Sequence, residues 1–312
     1  MIIEKIYLFI SFYLYLRIFY FFIQLNSKKY PAKKRGIIVK WKPKVVIVFD
    51  SGVGGLTVLR ELKKHNIKEE FVYLADSENS PYGDKTKEQI IISVLNCFKQ
   101  LSYLYEFKAI IIACNTASVY TKELLQHVYH VPVFSVIDAA TNYIKLNDID
   151  KPIDVLATNL TANSHAYQKS LPNHQVYEIG CPKFVPLIES EKYASVDSRY
   201  NTVVEQLTGL SSQKECYVVL GCTHYPLLEE EIKRFYSFNC SIINPSKILG
   251  EDVSRVFNER SQQFEVTYYQ TGKNGFFNIF ASQLMEDDVY SFNLPNKVYD
   301  LKEKENIQLK AN

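Results

Sequence analysis

Two segments of the 312-residue chain are built alike: AIIIACNTAS around Cys114 and YVVLGCTHYP around Cys222. Each runs from a β-branched stretch through a cysteine into polar residues, and the two cysteines stand 108 residues apart. The same offset relates Asp50, which closes VVIVFD, to Thr158, which closes IDVLAT. Equal spacing of strand ends and cysteines constrains the fold more than any single motif. It points to a duplicated α/β unit in one chain.

The runs Val45–Phe49, Phe71–Ala75, Ala109–Ala113 and Val131–Val136 read as buried strands, and Leu56–His65, Lys87–Tyr105 and Ser118–His127 as amphipathic helices. This βαβα alternation predicts mostly parallel sheets with helices on both faces. The expected fold is two similar α/β domains related by a pseudo-two-fold axis. The first takes residues 44–138 plus about 247–290, and the second takes 139–246. In open α/β sheets the site lies beyond the carboxyl ends of the strands, so each half would present one cysteine to a shared cleft.

A hydrophobic content of 47% supports cores for two such domains. Residues 1–40 carry eight basic side chains and one acid, +7, so a net charge of +2 leaves the rest at −5. A mildly acidic body with no basic stripe gives no reason to expect a nucleic-acid partner. Residues Ile6 to Leu25 are apolar and aromatic, interrupted by Arg17. Their length is about that of a membrane span. They read either as a membrane anchor, with the following basic cluster keeping the body in the cytoplasm, or as a gene start placed too far upstream. The six cysteines (97, 114, 181, 216, 222, 240) include no C-x-x-C pair, which argues against a disulfide frame or a zinc site. Reduced thiols in the cytoplasm are expected.

A thiol at a helix N-terminus feels the positive end of the helix dipole, which is expected to lower its pKa. Asn115, Thr116, Thr223 and His224 suit a small polar ligand better than a dry core. Inverting a carbon centre needs a base on each face, and a thiol from each half supplies one. Asp50-Ser51-Gly52-Val53-Gly54-Gly55 reads as a tight turn before a helix N-terminus, a place for a carboxylate. It fails the dinucleotide pattern, because Thr57 stands where the last glycine belongs. Asp50 could accept an ammonium, orient a thiol or cap the helix. Pro81-Tyr82-Gly83, after Asp76, reads as a turn near the same cleft or an ordinary surface turn. Adding the offset to 76–83 reaches 184–191, which makes Glu189 a partner for His224 or else a plain surface acid. Thr271-Gly272-Lys273 lacks the upstream glycine of a phosphate loop.

FDSGVGGLTVLREL (49–62), SPYGDKT (80–86), ACNTAS (113–118), CPKFVPLIE (181–189) and LGCTHYPLLE (220–229) resemble the glutamate racemase family, in order from about Val45 to Leu284. The resemblance implies interconversion of L- and D-glutamate without pyridoxal phosphate or metal, supplying D-glutamate for peptidoglycan, in what is usually a homodimer. It implies Cys114 and Cys222 as the two bases, with Cys114 acting on D-glutamate and Cys222 on L-glutamate. It places substrate at Asp50, Ser51, Tyr82, Gly83, Asn115, Thr116, Thr223 and His224, with Asp76 and Glu189 as acidic helpers. Ile137-Asp138-Ala139-Ala140, Asp76–Ser80 and Asn244-Pro245-Ser246 depart from the usual family pattern. Aspartate racemase is the nearest alternative. A cysteine hydrolase using Cys222 and His224 would leave Cys114 and the duplication unexplained.

Overall fold

Among the described residues, ten short strands sort into two sheets in which every strand pair is parallel. The computed structural model describes residues 42–190, 196–210, 215–237, 240–272 and 275–294. The apolar run 6–25 lies outside them. Among the described residues no helix is long and apolar enough to cross a membrane.

The strands are β1 (Lys44–Asp50), β2 (Glu70–Ala75), β3 (Glu106–Ile112), β4 (Val133–Ser135), β5 (Ile153–Ala157), β6 (Val176–Gly180), β7 (Cys216–Gly221), β8 (Cys240–Ile243), β9 (Glu265–Gln270) and β10 (Ser291–Asn293). The first sheet has the order β10-β9-β2-β1-β3-β4, and the second β6-β5-β7-β8. The second order repeats the β2-β1-β3-β4 part of the first, strand for strand. The offset in the sequence is therefore a repeat in topology. It carries β1 onto β5 and β3 onto β7, within a residue of their ends.

Parallel strands covered on both faces need apolar residues at successive positions. In β1, Val46 and Val48 pack with Leu56, Leu59 and Leu62 of the helix Leu56–Lys64. Ile47 and Phe49 face the other way, toward Ile90, Val94, Phe98 and Leu101 of the helix Lys87–Leu104. The second sheet buries Ile153, Val155, Ala157 and Val219 against Ile137, Ala140 and Ile144 of the helix Val136–Leu146. The helix Pro245–Val256 returns from β8 and packs on both Leu56–Lys64 and Val136–Leu146, tying the halves together. β9 and β10 then extend only the first sheet, on the β2 side.

The helix after Cys114 begins at Asn115, not Ser118. Cys114 takes the N-cap position in extended backbone geometry, and its Sγ accepts from Ala117 N at 3.4 Å. No such helix follows Cys222 directly. A 3-10 turn at Tyr225–Leu228 comes first, with Pro226 in it, and the helix Glu229–Phe235 starts beyond. Proline fixes its own φ and has no N–H to donate, so the matched strand–cysteine–helix pattern is broken in the second half.

Candidate active site

Asp50, Asp76, Cys114 and Cys222 stand at or just beyond the carboxyl ends of β1, β2, β3 and β7, and hydrogen bonds join the two halves there. Asp50, at the end of β1, is fully buried. Its Oδ1 accepts from Gly52 N at 2.8 Å, and its Oδ2 accepts from Thr223 Oγ1, beyond β7, at 3.2 Å. Asp50 thus fills the glycine loop's own amides, where the sequence suggested room for a substrate carboxylate. Burial raises its pKa, against the opposing pull of His224, the Gly52 and Gly55 amides and Thr223. Two glycines make this approach possible. A Cβ on Gly54 would lie 2.3 Å from Thr223 Oγ1 and 2.5 Å from His224 Nδ1. One on Gly55 would lie 2.5 Å from Asp50 Cβ and 2.8 Å from Tyr73 Oη. Tyr73 in turn donates to Gly52 O at 2.8 Å and pins the loop from below.

Cys114 is buried, and its thiol is directed at Ser51 Oγ at 3.6 Å. Contrary to the expectation from the helix dipole, its pKa is pushed up to about 12. Burial is the main cause and the Asp50 carboxylate adds to it, while the Ala117 N–H and Ser51 pull the other way. A dipole worth a fraction of a charge cannot offset a dry site beside a carboxylate. Cys222 adds a small further push upward on Cys114.

Cys222 has a different partner. Its Sγ lies 3.8 Å from His224 Nδ1, and His224 Nε2 lies 2.7 Å from Glu189 Oε1. Burial would depress His224, yet its bonds and charge contacts with Cys222 and Glu189 outweigh that and hold it well above its usual value. The Cys222 sulfur on one side and the Glu189 carboxylate on the other therefore favour its protonated form. Glu189, at the end of the helix Phe184–Glu189, is only partly exposed.

Asp76 stands behind the site. Its carboxylate accepts from Tyr82 Oη at 2.6 Å, Thr271 Oγ1 at 2.6 Å and Asn79 Nδ2 at 3.0 Å. Its partner Tyr82 is itself buried. Beside Tyr82, Gly83 abuts the second half, where an added Cβ would meet Thr158 Cβ at 3.2 Å. Thr116 Oγ1 shares hydrogen bonds with Thr158 Oγ1 (3.1 Å) and Thr161 Oγ1 (2.9 Å). Asn115 Oδ1 accepts from Tyr167 Oη at 2.8 Å.

The sequence reading missed Tyr73, Thr158, Thr161, Tyr167 and Thr271 as parts of this site. For Thr158 a signal was present: it is the offset partner of Asp50. The tyrosines look like ordinary core residues, and Thr271 lies in a segment outside the repeat.

Two buried thiols thus stand at equivalent strand ends, with a carboxylate beside one and an imidazole beside the other, an arrangement chemically suited to moving protons from two sides. The chain belongs to the Asp/Glu/Hydantoin racemase family, whose model matches residues 57–251. It is similar to the glutamate racemase of Thermoanaerobacter pseudethanolicus, 38% identical over 213 residues that cover 66% of this chain and 78% of the relative. Among solved structures, a glutamate racemase isoform from Bacillus anthracis superposes with a TM-score of 0.73 at 27% identity, covering 82% of this chain and 98% of that one. The glutamate racemase of Francisella tularensis, crystallised with D-glutamate, gives 0.70 at 30% identity, covering 81% and 96%.

Proposed function

We propose that this racemase interconverts L- and D-glutamate with Cys114 and Cys222 as the two acid–base groups. The observation that carries the reading is the pair of buried thiols just beyond equivalent ends of β3 and β7, on loops that Asp50 and Thr223 tie together. One sulfur enters the reaction as thiolate and takes the α-proton: the C–H bond breaks, an S–H bond forms, and the electron pair passes to the α-carbon and its carboxylate. The other sulfur, entering as thiol, gives its proton to the opposite face. The product is the mirror image, and the two sulfurs have exchanged protonation states. Both proton transfers are supplied by side chains, so the reading needs no cofactor.

Asp50 and His224 set the charge at the two sulfurs, Glu189 acts through His224, and Asp76 acts through Tyr82. Ser51, Tyr82, Gly83, Asn115, Thr116 and Thr223 hold the substrate. Residues 44–138 with 247–290 form one domain and 139–246 the other, each contributing one thiol. The named relatives are glutamate racemases, and one was crystallised with D-glutamate, which favours glutamate over aspartate. A homodimeric, cytoplasmic enzyme supplying D-glutamate for peptidoglycan completes the reading.

The test incubates the full chain with L-glutamate in D₂O, with L-aspartate in parallel. The expected result is decay of optical rotation with α-deuterium in the product, for glutamate and not aspartate. No exchange with either amino acid overturns the racemase reading. Exchange with aspartate alone overturns the substrate.

A further inference from the structure

Tyr167 has no part in the chemistry described above, yet it is fully buried and its phenol reaches from the second half into the first. It sits in the short helix Ala166–Ser170, and its only hydrogen-bond partner for Oη among the described residues is Asn115 Oδ1. Asn115 directly follows Cys114 and is itself buried. A side-chain amide offers an acceptor at one end and two donors at the other, and only surrounding hydrogen bonds decide which end faces where. The phenol keeps its proton, since burial and the nearby Glu178 carboxylate hold it far above its ordinary range. That proton needs an acceptor, so Oδ1 is taken. That leaves Nδ2 as the donor end of the amide. The Tyr167 backbone is fixed in turn: its N–H donates to Glu178 Oε1 at 3.1 Å.

We propose that Tyr167 is a positioning residue that holds the Asn115 amide with Nδ2 toward the cleft, as a donor to a substrate carboxylate. This rests on the reading that Asn115 binds substrate. A flipped amide would present an oxygen to that carboxylate and repel it. Because Tyr167 and Asn115 belong to different halves, the correct orientation exists only when the halves meet.

The experiment measures KM and kcat for both enantiomers in the full chain carrying Tyr167→Phe, Asn115→Ala or both, with Tm recorded for each. Tyr167→Phe is expected to raise both KM values about tenfold, roughly the effect of one hydrogen bond, with kcat changed by less than about twofold. The double variant is expected to be no worse than Asn115→Ala alone, because the phenol acts through that amide. Fully additive effects, or a lowered Tm with unchanged KM, overturn the proposal. An unchanged KM in Asn115→Ala shows instead that Asn115 does not bind substrate, and the proposal falls with that reading. Asn115→Asp gives a check that leaves Tyr167 in place. It keeps the phenol's acceptor and turns the donor into an anion, so its KM is expected to rise more than that of Tyr167→Phe, and a smaller rise overturns the proposal.

Discussion

Cys114 and Cys222 occupy equivalent ends of equivalent strands, and both are buried, yet their neighbours carry opposite charge. Cys114 lies near the Asp50 carboxylate and is pushed up to about 12. Cys222 lies 3.8 Å from His224, whose protonated form Cys222 and Glu189 favour. The difference follows from the residues at offset positions. Thr158 stands in the second half where Asp50 stands in the first, and Thr116 stands where the second half has His224. The frame is repeated and the charges are not. The proposed mechanism, which starts from one thiol and one thiolate, needs such an inequality.

The largest effect is expected from removing either sulfur. Cys114→Ser and Cys222→Ser should each lower kcat by about 10³-fold, within the range for a lost acid–base group, while calorimetry still detects glutamate binding. Near-normal turnover in either variant would break the pairing. L- and D-glutamate have equal free energy in water, so kcat/KM must fall equally in both directions, and only separate kcat and KM values can differ.

Gly54→Ala comes next. Its Cβ would displace Thr223 and His224 from the loop beside Asp50. A shift of about 1 Å at a reacting group costs about 100-fold, so turnover should drop by that order while far-UV circular dichroism stays native. Wild-type turnover would show that the loop and His224 are not in contact during catalysis.

Thiol labelling sharpens the contrast directly. With iodoacetamide at pH 8, followed by mass spectrometry, Cys222 should be modified before Cys114, because a sulfur beside a cation reacts more readily than one beside a carboxylate. Asp50→Asn should speed labelling at Cys114. Labelling in the reverse order would mean that the charges do not govern the sulfurs.

The smallest effect concerns pH. His224 is raised in the folded protein by Cys222 and Glu189, against burial. A raised folded-state value means that its contribution to stability is complete below about pH 6.5, the unfolded reference, and is lost as pH rises through the folded value. Glu189→Gln should therefore lower Tm by about 2–4 °C at pH 6 and by less at high pH. An equal drop at all pH values would remove Glu189 from the imidazolium's support.

Much of this was legible in the chain. β1 and β2 are apolar at nearly every position, and the offset between Cys114 and Cys222 foretold the matching strand orders. The link from Glu189 to His224 was also reachable by the offset. What escaped depends on contacts that periodicity does not encode. Thr158 reads as a strand-end residue, and Thr161 carries no signal of its own, until Thr116 is brought to them. Tyr167 reads as core. Pro226 was visible, but its delay of the helix after Cys222 was not drawn from it. The pKa direction at Cys114 was misread because burial beside Asp50, a tertiary fact, outweighs a local dipole.

The repeat lies within one polypeptide, and this has a stereochemical consequence. A dimer of one identical unit would set the same side chain on both sides of its axis, two carboxylates or two imidazoles, and its resting sulfurs would be indistinguishable. Fusion in tandem lets Asp50 and Thr158, or His224 and Thr116, diverge while the strands that carry them keep their places. Covalent linkage of the halves thus frees a two-fold frame from carrying equal charges, so that in the proposed mechanism each face of a planar carbon meets a differently prepared proton.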